Sequence, residues 1–155
     1  MSKSLNRVRT ALEAAGAAHE IIELGEARTA EQAAASAGCL VDQIAKSIIF
    51  RGLDSGHVVL FITAGGNRVS DRKASAVAGQ PLGKADAALI RAETGFAIGG
   101  VAPLGHLTPV TAYLDPRLME FSEIWAAAGT PRHVFRISPP DLERISGAKQ
   151  ADFTE

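Results

Sequence analysis

Leu5, Val8, Leu12 and Ala15 recur at intervals of three and four residues, and Gly16 follows them. This spacing predicts an amphipathic helix over residues 4–15 with a left-handed stop. Glu20–Leu24 reads as a short strand. Thr29 followed by Gln32 carries the capping-box pattern that opens a helix, here running to Ala37 and closed by Gly38. Two β-branched and aromatic runs, Lys46–Phe50 and Val58–Thr63, are separated by Gly52-Leu53-Asp54-Ser55-Gly56 and predict a hairpin. Ser70 caps a short helix ending at Gly79, and Asp86 caps another that runs to Thr94 and stops at Gly95. Val110–Leu114 is a strand ended by the turn Asp115-Pro116. Ser138 followed by Pro139 and Pro140 starts a final helix that Gly147 ends. Ser122–Ala128 reads two ways, because its alanines favour helix while its place before the Gly129-Thr130-Pro131 turn and His133–Ile137 suits a strand. Short strands mixed with short helices make this an α+β chain.

The composition supports a single domain over residues 1–155, with 46% hydrophobic and 21% charged residues. No apolar run approaches the roughly 20 residues that cross a bilayer, and Met1-Ser2-Lys3-Ser4-Leu5 lacks a signal-peptide core, so no membrane association is expected. Cys39 is the sole cysteine. It rules out an intrachain disulfide, suits a cytoplasmic protein and reads as a small buried filler. A formal charge of −1 argues against a protein that coats nucleic acid, while leaving room for a local contact with one nucleic-acid end.

Several chemistries have no signature here. There is no G-x-S-x-G elbow, no H-E-x-x-H and no paired Cys/His spacing, so neither a nucleophilic serine nor a metal site is announced, and no cofactor is expected. Gly79-Gln80-Pro81-Leu82-Gly83-Lys84 is one residue short of a phosphate loop and reads as a turn. His19, His57, His106 and His133 are scattered, and His106 reads as a solvated loop residue.

Two segments carry candidate chemistry. Residues 94–105 hold Gly95, Gly99, Gly100, Gly105 and Pro103 around an apolar centre, a composition that lets backbone approach a ligand closely. Strand alternation puts Ile44, Lys46, Ile48 and Phe50 on one face and Ala45, Ser47 and Ile49 on the other. Lys46 must therefore either snorkel out at the strand end or meet an anion in a pocket. Ser47 reads locally as a structural hydroxyl facing away from Lys46.

The chain resembles the YbaK/EbsC family, free-standing relatives of the editing domain inserted in bacterial prolyl-tRNA synthetases. The resemblance runs through Thr29–Ala34, Lys46–Phe50, Arg68–Lys73, Thr94–Phe96, Gly99–Gly105, Gly129 and Asp141-Leu142. The lysine on its apolar strand and the Gly99-to-Pro103 spacing are its specific parts. It implies a strand at Ser122–Ala128 and a curved, nearly barrel-like mixed sheet flanked by helices. It also implies a trans-acting deacylase that hydrolyses the ester of mischarged tRNA, tRNA for proline carrying a small amino acid. Lys46 then lines the editing site as the catalytic cation, and Ser47, Gly99, Gly100, Val101, Ala102, Pro103 and Gly129 surround the aminoacyl group. Ala127 and Val134 stand where cysteine-specific relatives place polar residues.

Arg68, Arg72, Lys73, Lys84 and Arg91 gather in the middle third, interleaved with acids. That is an ordinary solvated surface or a modest patch for the acceptor end, with Lys73 and Arg72 the tRNA candidates; prolyl-tRNA synthetase is a candidate partner. The alternatives are a non-catalytic module binding aminoacyl-tRNA or an aminoacyl nucleotide, and a structural partner of a synthetase. Retention of both Lys46 and the Gly99–Pro103 spacing favours the enzyme.

Overall fold

Short polar side chains open all five α-helices among the described residues, 2–25 and 27–155 of a computed structural model. The helices are α1 (Lys3–Ala14), α2 (Ala30–Ala37), α3 (Asp71–Ala78), α4 (Ala87–Thr94) and α5 (Pro139–Ser146). Their N-caps are Ser2, Thr29, Ser70, Asp86 and Ser138, and each side-chain oxygen accepts from the backbone N–H three residues on. Such a cap satisfies one of the orphan donors of the first turn. The caps read from the sequence at Thr29, Ser70, Asp86 and Ser138 thus locate α2 to α5 to within a residue, while α1, read from its periodicity as 4–15, begins and ends one residue earlier.

The strands are β1 (Glu20–Glu23), β2 (Ile44–Gly52), β3 (Val58–Ala64), β4 (Leu82–Lys84), β5 (Thr111–Leu114), β6 (Ile124–Thr130), β7 (His133–Ile137) and β8 (Lys149–Gln150). They form one mixed sheet in the order β1-β7-β6-β2-β3-β5-β8, with β4 added to β2. β1 and β8 end this path, and β4 is a further outer strand paired only to β2. The alanine-rich segment is a strand, as the resemblance implied and its helix propensity did not. Leu82-Gly83-Lys84 is a strand and not the expected turn: it extends along the last residues of β2, opposite Phe50, Arg51 and Gly52. After β5 the chain enters a 3-10 turn over Pro116–Glu120 capped by Asp115.

β3 is buried along its whole length, so its two faces divide the interior. One face carries Val58, Leu60, Ile62 and Ala64 and packs with Ala45, Ala126, Phe135 and Leu114 against α1, α4 and α5 through Leu5, Val8, Leu12, Ile90 and Leu142. The other face carries two smaller clusters. Val59 and Phe61 pack with Ala74 of α3 and Phe153, while Ile44 and Trp125 pack with Ala34 of α2. This is a three-layer arrangement with helices on both sides of the sheet. Lys46 lies on the second face, between the Ile44 and Ile48 neighbourhoods of those two clusters.

β6 runs parallel to β2 only at Ile44/Trp125 and Ala45/Ala126. Its pairing with β7 then slips between Ala127 and Thr130. Gly129 sits inside this irregularity at φ +95°, and a Cβ there would stand 2.7 Å from the carbonyl oxygen of Ser4. A glycine is what the close crossing of α1 over β6 requires.

Candidate active site

β2 is the strand on which the site is built. On one side it is paired to β3 from Ala45 to Arg51. On the other, β6 reaches only as far as Ala45 and β4 begins only at Phe50. Among the described residues, Lys46–Ile49 therefore has no registered strand on that side. A cavity of about 700 Å³ occupies this break and takes its walls from both faces of the sheet. Ala45, Ser47, Ile49, Ala85, Ile90, Val101 and Ala126 line it on the side of the main core. Arg28, Thr29, Ile44, Lys46, Gly65 and Trp125 line it on the other, and Lys84, Ile98 and Gly99 also border it. Alanine at positions 45, 85 and 126 leaves the room that larger core residues would fill.

Lys46 Nζ donates to the carbonyl oxygen of Gly65 at 3.2 Å. That carbonyl belongs to a turn held from behind. Asp115 Oδ2 accepts from the amide of Ala64 at 3.1 Å and from Asn67 Nδ2 at 2.9 Å, while Asp115 Oδ1 accepts from the amide of Arg117 at 3.0 Å. Asp42 takes the amide of Gly66 and the Nε of Arg117. The two carboxylates fix the acceptor that orients the lysine.

Two buried polar atoms, Ser47 Oγ and Trp125 Nε1, have no hydrogen-bond partner among the described residues. Both residues line the cavity, on opposite faces of the sheet. Buried polar groups are nearly always paired, so each invites a partner from a ligand or water.

The glycine loop is divided in its roles. Gly99 has φ +90° and nothing within 4 Å of where a Cβ would stand, so its missing side chain leaves open space at the cavity. Gly100 is buried, and a Cβ there would come within 3.0 Å of the Thr130 backbone. Val101 lines the cavity. Ala102, Pro103 and Gly129 are not among the lining residues; Ala102 and Pro103 are buried behind the loop. His106 differs from its expected solvated place: Nε2 donates to the Ala102 carbonyl at 2.7 Å, tying the loop to itself. Burial, aided by the Arg7 charge and opposed by that hydrogen bond, lowers its pKa below the ordinary 6.5.

Of the tRNA candidates, Arg72 is exposed, while Lys73 is engaged with Asp152 at 3.2 Å and with the Thr154 carbonyl at 2.9 Å. Neither lines the cavity; Arg28 and Lys84 do. Ala127 and Val134, singled out by the resemblance, line it as well. Burial pushes the Cys39 thiol up, with Glu123 adding to the effect, which suits a packing role. Among the described residues no three His, Cys, Asp or Glu side chains come together in a metal-binding group, and no helix is long and apolar enough to cross a membrane.

Residues 25–145 match the aminoacyl-tRNA editing domain family. The chain belongs to that family. Its relatives include the Bacillus subtilis (strain 168) protein YwhH, itself uncharacterized, at 30% identity over 147 residues, 94% of this chain and 93% of that protein. A crystal structure of a candidate trans-editing enzyme for prolyl-tRNA synthetase superposes with a TM-score of 0.92 at 45% identity, covering 100% of this chain and 99% of the other. The crystal structure of the hypothetical protein APE2540 gives a TM-score of 0.86 at 25% identity over 96% of this chain and 99% of that one. The superposition extends over the whole chain, and the break in β2 lies inside the matched family region.

Proposed function

We propose that the chain, acting as one editing domain in trans, hydrolyses the ester of mischarged tRNA, with tRNA for proline carrying a small amino acid as its substrate and prolyl-tRNA synthetase as the enzyme whose errors it clears. The observation that carries this reading is the cavity at the break in β2, where Lys46, Ser47, Gly99 and Val101 share one lining. Its alanine-lined side suits a small side chain. Its other side carries Arg28 and Lys46 and suits the phosphodiester end of the tRNA.

An aminoacyl ester is activated, so its hydrolysis needs a positioned water and stabilised charge more than a strong nucleophile. Water adds to the carbonyl carbon, the ester C–O bond breaks, and the ribose oxygen leaves with the proton that water gives up. The neighbouring ribose hydroxyl of the substrate orients that water. Lys46, whose one hydrogen bond among the described residues is to a neutral carbonyl, retains ammonium hydrogens for the ester oxygen or the terminal phosphate. Because the substrate supplies the assisting hydroxyl, the absence of a base–nucleophile pair from the sequence fits this chemistry.

The test is incubation of the purified protein with tRNA for proline charged with alanine, serine, cysteine or 2-aminobutyrate, and with the matching correctly charged tRNAs, following release of the amino acid. Faster loss of at least one mischarged ester than of prolyl-tRNA is expected. Binding of these tRNAs with no acceleration of ester loss would replace the enzyme by a non-catalytic aminoacyl-tRNA module.

A further inference from the structure

The edge of β2 inside the cavity has a hydrogen-bonding phase that can be read. Gly52 N–H donates to the His57 carbonyl, on the β3 side, while Leu53 N–H donates to the Pro81 carbonyl, on the β4 side. Successive residues of a strand present their N–H and C=O to opposite edges. Lys46, Ile48, Phe50 and Gly52 accordingly bond to β3, and Ala45, Ser47, Ile49 and Arg51 point their main-chain groups away from it. Ala45 meets Ala126 of β6, and Arg51 meets Gly83 of β4. Ser47 and Ile49 face the break, with no strand registered against them among the described residues, and both line the cavity.

We infer that Ser47 binds the aminoacyl group as a strand one residue long, with its C=O accepting from the substrate's α-ammonium and its N–H donating to the ester carbonyl. This deepens the deacylase reading and rests on it. An aminoacyl ester carries the same donor–acceptor pair as one residue of an antiparallel strand, and an open edge is where such a pair is captured. The break is too short for a peptide, because β6 and β4 close it after two outward-facing residues. It matches a single residue.

The geometry then settles where the substrate side chain goes. In a hydrogen-bonded antiparallel pair the two side chains share a face, with Cβ atoms about 4.5–5.5 Å apart. The substrate side chain falls on the Ser47 face, among Ala45, Ala85, Ala126 and Val101, and opposite to Lys46. It lies beside the partnerless Ser47 hydroxyl. The Ser47 N–H also stands ready for the negative charge that develops on the carbonyl oxygen. A D-aminoacyl group making the same two bonds would turn its side chain toward the Lys46 face instead.

The test is amide hydrogen exchange read residue by residue by NMR, with 3′-(L-alanylamino)-3′-deoxyadenosine, in which an amide replaces the ester, as the probe. In the free protein the Ser47 and Ile49 amides exchange faster than those of Lys46 and Ile48, which bond to β3. At saturating probe the Ser47 amide slows at least 10-fold, while Lys46 and Ile48 do not change and the D-alanyl isomer has no such effect. Equal protection of all four amides in the free protein, or binding of the L-alanyl probe without slowing Ser47, overturns the inference while leaving deacylation untouched. Absence of probe binding together with absence of turnover on every mischarged tRNA removes the inference and the deacylase reading at once.

Discussion

Lys46 Nζ and the carbonyl oxygen of Gly65 stand 3.2 Å apart, joining the first residues of β2 to the turn that leaves β3. Among the described residues no carboxylate forms an ion pair with this ammonium, so its charge is held in place without being neutralised. If it anchors the tRNA end and meets developing charge, Lys46→Ala lowers deacylation by about 10²-fold or more, the scale of losing one charge-stabilising donor. The melting temperature should hardly move, because the lost bond is a single one to a neutral acceptor. Parallel loss of turnover and thermal stability would make Lys46 a structural residue.

Gly99 at φ +90° borders open space at the cavity. Gly99→Val puts a branched side chain there and forces an unfavourable backbone region, at a cost of about 1–3 kcal/mol on an exposed loop. Circular dichroism should still report a folded chain, while turnover at low substrate concentration falls at least tenfold. A folded variant that deacylates at the wild-type rate would remove Gly99 from the binding surface.

Asp115 is 3% exposed and accepts three hydrogen bonds around the Gly65 turn. Asp115→Ala leaves buried donors unsatisfied and should cost about 2–4 kcal/mol in urea denaturation. Asp115→Asn keeps one acceptor oxygen and should cost less. If both variants unfold at the wild-type urea midpoint, the turn does not depend on this carboxylate.

His106 contributes to stability with a definite sign. Its folded pKa is depressed chiefly by burial, so below the ordinary value of 6.5 the unfolded chain takes up a proton that the folded chain refuses. The contribution is complete above that value and is lost as the pH falls through it toward the folded pKa. The difference in unfolding free energy between wild type and His106→Gln should shrink between pH 7 and pH 5. A difference constant with pH would show that the ring titrates alike in both states.

The helices were legible because their signals are local. Thr29, Ser70, Asp86 and Ser138 each act within a few residues, and the observed caps are those residues. β6 was not legible from propensity, since Trp125-Ala126-Ala127 is made a strand by its partners, β7 across the Gly129 turn and, at Trp125 and Ala126, the sequence-distant Ile44 and Ala45. β4 escaped for a related reason: three residues with Gly83 in the middle carry no alternation of their own. At the site, Lys46 stood out as a charge on an apolar face. The break beside it did not, because it depends on where two distant strands begin and end along β2. Lys73 shows the same limit, as its partner Asp152 comes from the last residues of the chain.

The pairing of Ile44 with Trp125, and of β1 with β7, also bears on when the site exists during folding. Contacts between remote segments form only after long loops have closed, and a sheet built from them is gained slowly and as a whole. Helices α1 to α5 can flicker into being on their own, but no fragment that lacks either β2 or β6 holds the alanine wall at Ala45 and Ala126. The cavity is therefore a property of the finished molecule. A ligand that enters it withdraws from the unfolded ensemble every chain it occupies, so occupancy can be read as a rise in the temperature at which the entire domain melts.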